Sequence, residues 1–145
     1  MNQPEILIVG AGGMGALFGS ILHENGLKVV LYDTNTEHIR AIQQAGLKIE
    51  GYGGDRTIPI AATSNLSELE SAEIIIFQCK SHGTRQAAKA VKPLITQESV
   101  CISFQNGLGN EEVMAEELGE DSVMGGLTAM AGVLLEPGKI RDFSR

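Results

Sequence analysis

The sequence predicts an α/β fold: a doubly wound, mainly parallel sheet with helices on both faces. Three observations carry this expectation. Short, mostly apolar runs at residues 5–10 (EILIVG), 28–32 (KVVLY), 73–78 (EIIIFQ), 99–104 (SVCISF) and 122–127 (SVMGGL) read as strands. An almost wholly apolar run such as the first suits a parallel strand covered on both faces. Stretches of helical period with short links alternate with these strands. The first strand runs straight into Gly10-Ala11-Gly12-Gly13-Met14-Gly15, a glycine-rich turn in the Rossmann-type position between strand and helix.

Each element has its own signal. Residues 13–25 put Met14, Leu17, Phe18, Ile21 and Leu22 on one helical stripe, and Asn25-Gly26 closes the helix. Residues 36–45 form a second helix with Ile39 and Ile42 inward, ended by Gly46. LKIEG and RTIPI alternate on either side of GYGGD, which predicts an antiparallel hairpin over 47–60, inserted beside the main sheet. Residues 66–71 suit one short helical turn. Residues 83–92 read as a helix that stops near Pro93, and residues 110–118 as a helix capped by Asn110 and ended by Gly119. A second hairpin is expected over 131–143, around Glu136-Pro137-Gly138.

Composition narrows the function classes. The 145 residues have the size of one domain, taken here as a single dinucleotide-binding unit over 1–145. The net charge is −7 and Lys and Arg form no stripe, which argues against a nucleic-acid surface. No apolar run approaches the ~20 residues that span a bilayer. Met1-Asn2-Gln3-Pro4-Glu5 lacks the basic start of a secretory signal, so a cytoplasmic location is expected. Cys79 and Cys101 fall in predicted buried strands and read as core residues of a reducing compartment, the alternative being a disulfide or redox pair. No metal site is expected. The last residues, Asp142-Phe143-Ser144-Arg145, follow a strand with no closing helix, and the chain reads as a fragment of a longer protein.

Chemistry is expected at the carboxyl ends of the strands, where such sheets bind ligands. In G-x-G-x-x-G, Gly10 allows the tight turn, Gly12 lets the backbone approach a pyrophosphate, and Gly15 lets helix and sheet pack closely. Backbone N–H groups of Gly10, Ala11, Gly12, Gly13, Met14 and Gly15 are the candidate phosphate cradle. The plain alternative is a turn without a ligand. Asp33 ends the second strand, 18 residues after Gly15, where a carboxylate binds the adenine ribose hydroxyls and repels a 2′-phosphate. Asp33 therefore favours NAD(H) over NADP(H), unless it merely caps the following turn.

Two polar clusters follow the later strands. Lys80, in Gln78-Cys79-Lys80-Ser81-His82, faces either the cofactor, an anionic substrate or solvent. Ser81 is as good a helix cap as a functional hydroxyl, and His82 reads as exposed. His23 and His38 lie on helices and read as solvated. Asn106, in Gln105-Asn106-Gly107, stands at a strand end where its amide can both donate and accept. It is either an anchor for the nicotinamide ribose or a substrate oxygen, or a turn residue. Glu111 and Glu112 suit the start of a helix dipole.

GAGGMG, Lys80 after IIIFQC, SFQNGLGNEE and the late PGKI hairpin together make the chain resemble the nucleotide-binding domain of the ketopantoate reductase (2-dehydropantoate 2-reductase) family. The resemblance covers essentially the whole chain, and Q-N-G-x-G-x-E is its most specific part. It implies NAD(P)H-dependent reduction of a 2-keto acid to a 2-hydroxy acid on the pantothenate route. It implies phosphate binding by Gly10 to Gly15, cofactor or substrate contact by Lys80, and a catalytic anchor at Asn106. Thr128 and Ala131 are implied on the nicotinamide side. It further implies a C-terminal helical domain, absent from this chain, that supplies a lysine general acid and a substrate-binding carboxylate. The family usually prefers NADP(H), against the reading of Asp33-Thr34-Asn35. A homodimer remains open as a partner. Two rivals stand beside this reading: the first domain of another two-domain hydroxyacid or opine-type dehydrogenase, and a stand-alone NAD(P)-sensing module.

Overall fold

Two sheets account for the ten strands among the described residues. They come from a computed structural model that describes residues 3–144; Met1, Asn2 and Arg145 lie outside the described residues. The chain opens with β1 (Ile6–Val9), α1 (Gly13–Glu24), β2 (Val29–Tyr32) and α2 (Thr36–Ala45). Three short strands follow: β3 (Leu47–Gly51), β4 (Arg56–Ile58) and β5 (Ala61–Thr63). Then come β6 (Ile74–Phe77), α3 (Thr84–Val91), β7 (Val100–Ser103), α4 (Asn110–Leu118), β8 (Val123–Gly125), β9 (Gly132–Glu136) and β10 (Lys139–Asp142). Single 3-10 turns sit at Leu66–Glu68, Ser81–Gly83, Lys92–Leu94 and Glu120–Ser122.

The main sheet has the order β5-β2-β1-β6-β7-β8, and every pairing in it is parallel. The chain builds outward from β1 to β2, then returns to lay β6 on the other side of β1. The order therefore reverses beside β1, and the carboxyl ends of β1 and β6 frame the crevice where such sheets take ligands. Alternation along β1 explains its wholly apolar composition. Ile6 and Ile8 join one core with Leu17, Ile39 and Ile42, while Leu7 and Val9 join the other with Phe77, Ala88 and Met114. Helices α1 and α2 cover one face, α3 and α4 the other, as the doubly wound expectation required.

The sheet differs from the sequence reading at its edge. Residues 61–63 pair in parallel with β2 and add the strand β5, too short for periodicity to show. The two expected hairpins both form, but they do not stay separate. β10 pairs in parallel with β3, giving a second sheet of order β4-β3-β10-β9. The Glu50 carboxylate meets Lys139 and Arg141 across that pairing, and those two cations hold it below the usual carboxylate range. Ion pairs of this kind between strands distant in sequence leave no mark in local pattern.

Two local expectations fail. Asn110 does not cap α4: Gly109 holds the cap position with φ +84° and makes no side-chain cap bond. The Asn110 carboxamide is committed elsewhere, because its Oδ1 accepts from the Thr84 hydroxyl at 3.1 Å. The two helical histidines are not solvated: His38 is 1% exposed, because the β9–β10 turn closes over α2, and His23 is half-buried, with Nδ1 buried and without a hydrogen-bond partner among the described residues. No helix among the described residues is long and apolar enough to cross a membrane. Large exposed apolar side chains concentrate late in the chain, at Met124, Leu127, Val133, Leu134, Leu135 and Phe143.

Candidate functional site

The glycine turn links β1 to α1 at the edge of the crevice. Gly10 has φ +98°, a conformation L side chains rarely adopt, and a Cβ there would collide with the Cys79 backbone. A Cβ on Gly15 would collide with the Gly10 carbonyl, so that glycine is what lets α1 lie against the turn. Gly12 is the opposite case. Nothing stands within 4 Å of where its Cβ would be. The open space beside it faces the start of α1, which carries no acidic residue in its first turn and no side-chain cap. Its first N–H groups lack intrahelical acceptors, and with the helix dipole they suit a phosphate.

Asp33 sits where the sequence spacing predicts, at the end of β2. Its Oδ2 accepts from the Ala11 N–H at 2.8 Å and its Oδ1 from the Asn35 N–H at 2.8 Å. The carboxylate is thus fixed in place while lone pairs remain on both oxygens. It lines a cleft of about 310 Å³ with Gly10, Tyr32, Thr34, Cys79 and Gln86. Burial, and then the Asp33 charge, push the Tyr32 hydroxyl up. The Cys79 thiol is pushed up to about 11, chiefly by burial and further by Asp33. Cys79 is half-buried at the strand end rather than in the core, and Cys101 is fully buried; both are free thiols. Neither is a thiolate near neutrality, so neither is a nucleophile there.

A second cleft, about 280 Å³, adjoins the first at Cys79, which lines both. Lys80 and Asn106 come together in it, with Met14, Gln78 and Gln105. Lys80 is exposed and forms no salt bridge among the described residues. The Asn106 main chain is tied down: its carbonyl accepts from Ser81 Oγ at 2.7 Å and from Asn110 Nδ2 at 3.1 Å. Its side chain is exposed. Gly107 beside it has φ +96°. Gln78 Nε2 is buried with no hydrogen-bond partner among the described residues. A buried unpaired donor costs about 1–3 kcal/mol, and the residue that carries it borders the cleft.

The Q-N-G element divides its labour. Gln105 Nε2 donates to the Cys79 carbonyl at 2.7 Å and to Thr84 Oγ1 at 2.8 Å. The Thr84 hydroxyl donates in turn to Asn110 Oδ1, and Asn110 Nδ2 donates to the Asn106 carbonyl. Gln105, Thr84 and Asn110 therefore lock the β6 and β7 loops together, and Asn106 alone of the group is left to face outward. Ser81 serves the same lock rather than capping a helix. His82 is exposed, as expected. Thr128 and Ala131 line neither cleft; both are exposed in the segment between β8 and β9. Thr84, Tyr32 and Gln86 were not singled out from sequence, because a Thr, Tyr or Gln in a strand or helix carries no signal of its own.

A family model for ketopantoate reductase PanE/ApbA matches residues 6–144. Over 137 residues the chain is 35% identical to the 2-dehydropantoate 2-reductase of Pyrococcus abyssi, covering 94% of this chain and 44% of that protein. It is 31% identical to that of Lactococcus lactis over 141 residues, covering 96% and 45%. Among solved structures, the 2-dehydropantoate 2-reductase of Geobacter metallireducens superposes with a TM-score of 0.87 at 28% identity, over 94% of this chain and 45% of the other. A D-mandelate dehydrogenase in ternary complex with NADH and anilino(oxo)acetate gives 0.87 at 26% identity, over 96% and 45%. The chain spans about half the length of the curated relatives it matches. With a match running nearly end to end, the chain belongs to the ketopantoate reductase PanE/ApbA family.

Proposed function

We propose that this chain is the cofactor-binding half of an NAD(P)H-dependent 2-keto acid reductase acting on 2-dehydropantoate. One observation carries the reading: the cleft lined by Gly10 and Asp33 and the cleft lined by Lys80 and Asn106 adjoin at Cys79, beside a glycine turn that is open at Gly12. When bound, the nicotinamide supplies the hydride. The N–H groups from Gly12 to Gly15 hold the pyrophosphate, and Asp33 accepts from the adenine ribose hydroxyls. Lys80 draws the substrate carboxylate or a cofactor oxygen by charge. Asn106 orients the ketone or ribose from a backbone that Ser81 and Asn110 hold still. The proton for the nascent alkoxide comes from a lysine of a C-terminal helical domain, as the family resemblance implies. The exposed apolar side chains at Met124, Leu127, Val133, Leu134, Leu135 and Phe143 support a further domain packing there.

Asp33 supports NAD(H), against the NADP(H) that the family resemblance implies. Two backbone donors hold the Asp33 carboxylate in place, and its charge repels a 2′-phosphate. The likeness to a D-mandelate dehydrogenase favours a second reading, the first domain of another two-domain hydroxyacid dehydrogenase.

The test is a turnover assay of the 145-residue chain with NADH or NADPH and a panel of 2-keto acids including 2-dehydropantoate and benzoylformate. The division of labour predicts cofactor binding with negligible turnover. Robust reduction by the chain alone overturns it. Tighter binding of benzoylformate than of 2-dehydropantoate to the NADH-loaded chain favours the second reading.

A further inference from the structure

We propose that His38 is a positioning residue for dinucleotide binding, holding the glycine turn in its phosphate-receiving shape through the Ala11 carbonyl. The inference rests on the dinucleotide reading above and adds a residue to it.

His38 lies in the first turn of α2 and is 1% exposed. A buried imidazole is held by whatever satisfies its two nitrogens. The Ala11 carbonyl can only accept, so its 2.7 Å contact puts the hydrogen on Nε2. The Gly138 N–H can only donate, so Nδ1, 2.9 Å away, carries none. The two contacts together select one tautomer and use both ring nitrogens.

The consequence falls on Gly12. A peptide unit is planar and trans, so its C=O and N–H point opposite ways. Among the described residues no peptide bond is cis. Drawing the Ala11 carbonyl toward His38 therefore turns the Gly12 N–H of the same unit the other way. Gly12 is also where the space beside the turn is open. The Ala11 residue is gripped on its other side too, since its N–H donates to Asp33 Oδ2. Two side chains from two elements thus fix one residue of the phosphate cradle.

His38 also reaches across the molecule. Its second partner lies 100 residues along the chain, in the turn between β9 and β10. That hairpin meets the glycine turn at a second point, where the Gly13 and Gly132 backbones touch too closely for a Cβ on either. The second sheet is therefore braced against the cradle, and His38 carries part of the brace.

The two bonds can be separated. Gln at position 38 keeps a donor near the Nε2 position, and Asn keeps an acceptor near the Nδ1 position. NADH affinity of the 145-residue chain, His38→Gln and His38→Asn is measured by fluorescence titration, adenosine binding by NMR titration, and Tm alongside. Positioning predicts that His38→Gln stays within about threefold of the unaltered chain for NADH while His38→Asn weakens it by about tenfold or more. Adenosine, which has no phosphate, binds both variants as it binds the unaltered chain. The reverse order, or equal losses for NADH and adenosine, overturns the inference and leaves His38 as an anchor of the hairpin. Absence of NADH binding by the unaltered chain overturns the dinucleotide reading, and this inference with it.

Discussion

At the scale of the residue, one carboxylate does two things. Asp33 orders the turn through Ala11 and Asn35, and it presents a fixed negative charge to the first cleft. Removing the charge while keeping a small polar group separates the two. Asp33→Ser is expected to shift the NADPH:NADH affinity ratio toward NADPH by about tenfold or more, since one like-charge contact near a protein surface is worth a few kcal/mol. Parallel titrations of both cofactors check it, and an unchanged ratio contradicts the role given to Asp33. The position of Asp33 was legible because strand ends follow from the apolar run and because spacing from the glycines is set by one helix and one strand. His38 was not legible. On the helical pattern it reads as a polar residue facing water, and only a turn 100 residues away buries it.

At the scale of the element, the loops after β6 and β7 hold the catalytic candidates, and a chain of hydrogen bonds holds the loops. Thr84 is its middle link, 1% exposed, accepting from Gln105 and donating to Asn110. Thr84→Val keeps the shape and strands both partners. The expected cost is about 1–3 kcal/mol, which lowers Tm by about 3–10 °C in a domain of this size. Thr84→Ser keeps the hydroxyl and most of the stability. Scanning calorimetry of the two variants decides it, and a Thr84→Val protein as stable as the unaltered chain contradicts the network's role. Most helices and the strands of the main sheet could be read from periodicity and punctuation, since each is a local pattern. Gly26 and Gly46, both at positive φ, end α1 and α2 where the sequence suggests. The start of α4 misled, because Asn110 looks like a cap in isolation and is spent on Thr84 in the fold.

At the scale of the whole molecule, the second sheet is the feature that local reading could not supply. Each hairpin announces itself through alternation and turn residues, but the β3–β10 pairing joins residues about 90 apart. That sheet bears on the candidate site because β9 meets the glycine turn at Gly132, while Gly138 in the following turn bonds His38 on α2. The main sheet supplies the crevice, its reversal beside β1 bringing the glycine turn, Asp33, Lys80 and Asn106 to one edge. An open Gly12 beside a fixed Asp33 suits the dinucleotide proposed for that edge. Isothermal titration of the 145-residue chain and of Gly12→Val with NADH and NADPH tests it most directly. NADH is expected to bind at one site, NADPH at least about tenfold more weakly, and the valine that fills the open space to lower NADH affinity at least about tenfold. A chain that binds neither cofactor, or a Gly12→Val variant that binds NADH as the unaltered chain does, contradicts it.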